Sequence, residues 1–216
     1  MITKTLNIYG YDLREDTTIM LMFEPPDNKK LFKTHFPVVW KVITMPAGGH
    51  CKAKVQYTAR PAFGCAETDE DCVVGNMAWE EIKSGIRSGI SGEYFGRRRD
   101  SDEKGYSNHV IVCTNSTRKR ANLSIGFVKG EGISQRYTPV LFWKGVGAGC
   151  KVSAQFTPVL NAYVTQAYKS SEMLRWETEV DPIWPCNLDE LDDVTGWNLF
   201  EDYRSGAFYL EEAWKP

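Results

Sequence analysis

The stretch Cys51-Lys52-Ala53-Lys54-Val55-Gln56-Tyr57-Thr58 returns as Cys150-Lys151-Val152-Ser153-Ala154-Gln155-Phe156-Thr157, and this return constrains the fold more than any other feature of the chain. In both copies Cys, two small apolar residues and an aromatic take alternate positions, while Lys, Lys or Ser, Gln and Thr stand between them. A period of two marks a half-buried β-strand, because successive side chains point to opposite faces. A repeated strand predicts an internal duplication.

The match extends on both sides of this strand. Ile8 with Val112, Arg14 with Arg118, Ile19 with Leu123 and Phe23 with Phe127 share one offset across two apolar runs. Proline-marked strands follow at Phe36-Pro37-Val38-Val39-Trp40 and Thr138-Pro139-Val140-Leu141-Phe142-Trp143, since Pro is tolerated where a strand begins. Ala62-Phe63 then aligns with Ala162-Tyr163, and Met77-Ala78-Trp79-Glu80 more faintly with Met173-Leu174-Arg175-Trp176-Glu177. The reading is one domain of two repeats, about 5–85 and 109–180, joined by a charged linker at 92–105 and closed by a hairpin at 195–213. Leu188-Asp189-Glu190-Leu191 is a short helical turn near the C-terminus. No long helical period occurs, so the expected fold is all-β, an antiparallel β-sandwich of two facing sheets. Two separate half-sized domains are the alternative, and each would bury little surface alone.

Composition removes several function classes. The net charge of −2 across 216 residues offers no general attraction for nucleic acid or anionic membrane, and Arg97, Arg98 and Arg99 are offset by Asp100, Asp102 and Glu103. No apolar run approaches the roughly 20 residues of a membrane span or the length of a signal peptide, so no transmembrane segment and a cytoplasmic location are expected. The six cysteines are then expected as free thiols, with Cys51 and Cys150 on inward strand positions. No CxxC occurs, and the acidic run Glu67–Asp71 has no counterpart in the second copy, so no metal is expected. The sequons at Asn115 and Asn122 would be silent in the cytosol. There is no GxSxG, P-loop or HExxH, and Gly145-Val146-Gly147-Ala148-Gly149 lacks the helix a phosphate cradle needs. His50 beside Cys51 cannot form a dyad, because strand neighbours face opposite ways. The chain reads as a binding protein and not an enzyme.

The run Thr138–Tyr168, followed by Glu172–Trp184, Asn187–Trp197 and the Gly206-Ala207-Phe208 tail, resembles a family of β-rich proteins of mushroom-forming fungi, with a fainter likeness over Phe36–Ala66. The resemblance implies a soluble cytosolic β protein without a catalytic motif. It also carries the expectation of a chromoprotein that holds a polyene pigment non-covalently. Such a ligand is long, flat and apolar, and asks for an aromatic-lined groove with one cation for a terminal carboxylate.

Trp40, Tyr57, Phe63, Trp143, Phe156 and Tyr163 recur at matched positions of the two copies and are the candidate ligand-binding residues. They read either as sandwich core or as the lining of a groove at a pseudo-twofold or homodimer interface. Two other classes stay open: a lectin-like or membrane-active defence protein presenting Trp79, Trp176 or Trp197, and an enzyme without a recognisable motif.

Overall fold

A computed structural model describes residues 2–26, 30–82, 88–91, 94–96, 110–155, 158–165 and 168–213. The chain is all-β. Its strands are β1 Thr3–Tyr11, β2 Thr17–Phe23, β3 His35–Pro37, β4 Lys41–Met45, β5 His50–Thr58, β6 Pro61–Thr68, β7 Val74–Glu81, β8 Ser88–Ser91 and β9 Tyr94–Gly96 in the first half. The second half supplies β10 Val110–Asn115, β11 Ala121–Lys129, β12 Arg136–Val146, β13 Lys151–Gln155, β14 Val159–Val164, β15 Trp184–Asn187, β16 Val194–Glu201 and β17 Phe208–Glu212. The helical elements among the described residues are single 3-10 turns at Gly132–Ser134 and Leu188–Glu190, and no helix there is long and apolar enough to cross a membrane.

Four sheets form, in the strand orders β17-β16-β1-β5 (sheet I), β9-β8-β10-β13 (sheet II), β15-β14-β2-β4 (sheet III) and β7-β6-β11-β12-β3 (sheet IV). Sheets I and II share one wiring. In each, a first strand pairs antiparallel with a strand of its own half (β1 with β5, β10 with β13) and parallel with a strand of the other half (β1 with β16, β10 with β8). Sheets III and IV repeat the relation, β2 taking β4 and β14 where β11 takes β12 and β6. Each half of the chain therefore lends its later strands to the earlier strands of the other.

The sheets pack in pairs. Sheet III lies on sheet I, where Trp184 meets Trp197 edge-on at 4.6 Å. A side chain at Gly10 of sheet I would meet Met45 of sheet III at 3.3 Å. Sheet IV lies on sheet II, with Cys113 of β10 within electrostatic reach of Cys65 and Glu80 of β6 and β7. One contiguous apolar core takes residues from all four sheets. Its crossing point is Phe23 against Phe127, whose rings lie 5.0 Å apart at equivalent places of β2 and β11. Outside the sheets, the segment 169–174 is bonded along 37–40, Val39 donating to Glu172 and Leu174 to Pro37, and together they cover the outer faces of sheets III and IV.

The structure corrects several alignments. Ile8 and Cys113 both enter the main core, whereas Val112, also buried, lies on the opposite face of its strand, so the first strand is offset by one residue more than β2 against β11. Cys113 and Leu123 are one residue closer in sequence than Ile8 and Ile19, and a one-residue slip moves every side chain to the other face. The counterpart of β7 in the other half is β15, which flanks β14 as β7 flanks β6, and not the 173–177 stretch, in which Trp176 stands 62% exposed. Cys150 is exposed instead of inward, because it precedes β13, while Cys51 is half-buried at the start of β5. Within the 92–105 segment Tyr94–Gly96 is strand β9, paired with β8; 92–93 and 97–105 lie outside the described residues.

Candidate functional site

The six aromatics do not form one matched set. Trp40 and Tyr57 are core residues beside Phe23 and Phe127, with ring separations between 4.9 and 6.5 Å. These rings fill the space between them, and burial raises the Tyr57 phenol above its ordinary range. Trp143 lies elsewhere: it pairs with Leu123 on one side and His35 on the other, and its topological partner is Ile43, which pairs with Ile19. Phe63 and Tyr163 point to opposite faces. Phe63 opposes Ile125 and enters the main core, while Tyr163 opposes Met20 and joins the outer cluster with Met22, Val39 and Leu174. The residue that takes the place of Phe63 in sheet III is Ala162. Phe156 lies outside the described residues.

What the structure does bring together is Trp143 with Phe63, at 6.1 Å between rings, and with His35, edge-on at 5.7 Å. The inner row of sheet IV through Trp143 runs His35, Trp143, Leu123, Cys65, and the next row carries Leu141, Ile125, Phe63 and Glu80. Sheet II faces them with Ile111, Cys113, Val152 and Ala154. Trp143 is 1% exposed, yet its indole Nε1–H has no hydrogen-bond partner among the described residues. A buried donor left this way costs roughly 1–3 kcal/mol, and native proteins seldom carry one without a use for it.

No protein family, curated protein or solved structure matches this chain.

Burial pushes the Cys113 thiol up to about 12, with Cys65 and Glu80 nearby acting in the same direction. Burial, then Glu67, raises Cys65 as well. Both are protonated at neutral pH, and a protonated thiol is a poor nucleophile and a poor metal ligand. His35 is shifted the other way, its pKa lowered by burial and then by the charge of Lys30, so at neutral pH it is a neutral imidazole at the rim. No group of three or more His, Cys, Asp or Glu able to hold a metal occurs among the described residues. The arrangement offers an apolar, polarizable wall, one unspent N–H donor and a half-buried carboxylate, Glu80.

Sequence reasoning included Trp143 and Phe63 but overlooked Cys65, Cys113, Glu80 and His35 as their neighbours. A signal was present: Cys113 follows an apolar triplet, and shifting the first-strand alignment by one sets it against Ile8. The three Trp considered for an exposed surface diverge. Trp176 is exposed, Trp197 packs on Trp184, and Trp79 stacks on Tyr137 at 6.1 Å.

Proposed function

We propose that this protein is a non-enzymatic binding protein that holds an apolar, conjugated small molecule between sheets II and IV. The ligand's acceptor oxygen takes the hydrogen of Trp143 Nε1, and the ring of Phe63 flanks its body. The observation that carries this reading is the fully buried indole donor without a partner. A ligand that supplies a carbonyl or carboxyl oxygen there relieves the unpaired donor, while an apolar chain gains from the surrounding wall. The protonated state of both thiols supports holding over covalent chemistry, since the thiolate is the attacking species. The resemblance to proteins of mushroom-forming fungi, among them a pink polyene-binding chromoprotein, makes a polyene pigment the first candidate. The same reading expects a cytosolic location, suited to six unpaired thiols, and a homodimer, which sedimentation velocity reads.

The test has two steps. Protein from its native source should show a visible absorption band that co-migrates with the chain and disappears on solvent extraction. Trp143→Phe keeps the ring and removes only the donor, so the ligand-free variant should stay within about 1 kcal/mol of the parent, relief of the unpaired N–H offsetting lost ring volume. Pigment retention should then drop tenfold or more. A colourless native protein, or a Trp143→Phe variant that keeps its pigment, would remove this reading.

A further inference from the structure

The outer face of sheet I points away from both sandwich pairs, and its side chains follow from the strand registers. On β1 it carries Thr5, Asn7, Tyr9 and Tyr11; on β5, paired with them, Gln56, Lys54, Lys52 and His50. On β16 it carries Gly196, Asn198 and Phe200, with Glu211 and Tyr209 opposite on β17. At one end of the sheet aromatic rings therefore stand on all four strands. His50 and Tyr11 meet edge-on at 4.9 Å, Phe200 and Tyr209 are stacked at 5.5 Å, and Tyr11 and Tyr209 are each 41% exposed. Tyr203, 64% exposed in the turn after β16, extends the patch, its ring covered on one side by the Arg14 guanidinium at 4.6 Å. One row inward Tyr9 leans across the sheet: a side chain at Gly196 would come within 3.3 Å of its ring, and Lys52 stands over that ring at 5.2 Å.

The scaffold does not require this surface. Sheet II has the same wiring, and at the corresponding places of β10 and β13 it carries Val112, Thr114, Lys151 and Ser153. The rings of β1 and β5 thus have no counterpart on β10 and β13. Exposed tyrosines in a contiguous patch signal contact with a partner that is apolar on its faces and polar at its edges. Charge narrows the partner's chemistry. Arg14 is engaged by Glu201 at 3.6 Å, and Lys52 and Lys54 on one edge of the sheet stand against Glu211 on the other, a surplus of one positive charge that is too small to select a polyanion. Beside these cations stand neutral polar groups, Asn7, Asn198 and the tyrosine hydroxyls. Asn198 Oδ1 lies buried beside them without a hydrogen-bond partner among the described residues, an acceptor placed for a hydroxyl donor.

We propose that the outer face of sheet I binds a neutral polysaccharide, its pyranose rings stacked on Tyr11, Tyr209 and Tyr9 and its hydroxyls bonded to Asn198 and Lys52. Four strands at about 4.8 Å spacing give the ring row a length of roughly 14 Å, enough for a short run of sugar units. This site lies outside the sheet II–sheet IV interior and is independent of any ligand held there.

The experiment uses the full chain in retention assays on cellulose, chitin, mannan and amylose, with poly-U RNA and anionic phospholipid vesicles as comparison surfaces. Retention on at least one polysaccharide is expected, insensitive to salt, and reduced tenfold or more in Tyr11→Ala and in Tyr209→Ala. Both variants should keep the parent's melting curve, because both side chains are exposed. Trp176→Ala, exposed elsewhere, should bind like the parent, and so should Trp143→Phe. Retention on none of the four, retention unchanged by both tyrosine variants, or binding confined to RNA or to vesicles would each overturn the proposal.

Discussion

Two halves of the molecule share a wiring and differ in what they bury. In the sheet I–sheet III half the inner positions are Ile8, Ile43, Ala162, Val164 and Trp184, an apolar set without unpartnered polar atoms among them. In the sheet II–sheet IV half the corresponding positions are Cys113, Trp143, Phe63, Cys65 and Glu80. Gly10 in one corresponds to Asn115 in the other, a fully buried side chain that donates to Lys119, Val146 and Gly147 carbonyls and accepts from Thr117. At these positions the framework tolerates an apolar filling, since one half has it. Polar groups retained in the other therefore ask for a reason beyond stability, and that is the ground for the proposal of a ligand in the sheet II–sheet IV half.

The sharpest break of the equivalence is at Gly126. Its counterpart Met22 carries a full side chain, but a Cβ on Gly126 would stand 2.0 Å from the Thr138 carbonyl oxygen, at the point where β11 and β12 change register. Backbone cannot retreat that far within a paired sheet. Gly126→Ala should cost about 3 kcal/mol or more in denaturant unfolding, whereas Met22→Leu should cost under about 1.5 kcal/mol. Equal, small losses at both would show that the irregularity in sheet IV is soft.

Next in size is Asn115. Asn115→Ala strands the carbonyls that hold the 115–120 turn against the 145–149 turn, with roughly 1–3 kcal/mol expected for each buried group left unsatisfied. A fall in unfolding free energy of about 3 kcal/mol is the expected reading, together with faster proteolysis at these turns. A loss below about 0.5 kcal/mol, the range of ordinary surface substitutions, would mean that the turns hold without the side chain.

The repeated strand and the period-two alternation made the all-β class legible before any coordinates. The offset shared by Ile19 with Leu123 and Phe23 with Phe127 reappears as two touching rings at the crossing of the core. The exchange of strands between halves was not legible, because a sequence match says which segments are alike and nothing about which copies pair. Turn length was the other blind spot. One residue fewer between Cys113 and Leu123 than between Ile8 and Ile19 set Val112 on the far face of its strand and Cys113 in the main core, and Ala-aromatic pairs that looked equivalent in β6 and β14 turned out to face opposite ways. The site suffered most from this, since its logic lay in which residue replaced which across the two halves.

The buried thiols sharpen the comparison chemically. Cys113 is held up to about 12 in the folded chain against 9.0 for an ordinary thiol. Between those values the folded state keeps a proton that the unfolded state has lost, so stability is full below about pH 9 and declines as pH rises towards 12. Cys113→Ile, which copies the residue of the other half, should flatten part of that decline. Native thiol titration should be ordered too, with exposed Cys150 fast and buried Cys113 and Cys186 slow, and all six reacting in denaturant. Rapid native reaction of Cys113 would show that the sheet II–sheet IV interior is open to water.

The smallest effect belongs to His35, the rim residue with no counterpart in the other half. Burial and the neighbouring positive charge of Lys30 lower its pKa from 6.5, so the unfolded chain takes up a proton at a higher pH than the folded chain does. The stability that goes with the neutral imidazole is present above pH 6.5 and is lost as pH falls through the window between 6.5 and the lowered folded value. Because the ring is half-exposed, solvent screens much of the penalty and the slope is shallow. His35→Gln should remove that slope while leaving the neutral-pH melting temperature near the parent's. It also tests the site, because protonating the ring beside Trp143 places a cation against the apolar interior. Ligand retention that weakens below pH 6.5 in the parent, and not in His35→Gln, is the expected pattern. A pH response that survives the substitution would assign it to a group on another element and detach His35 from the site.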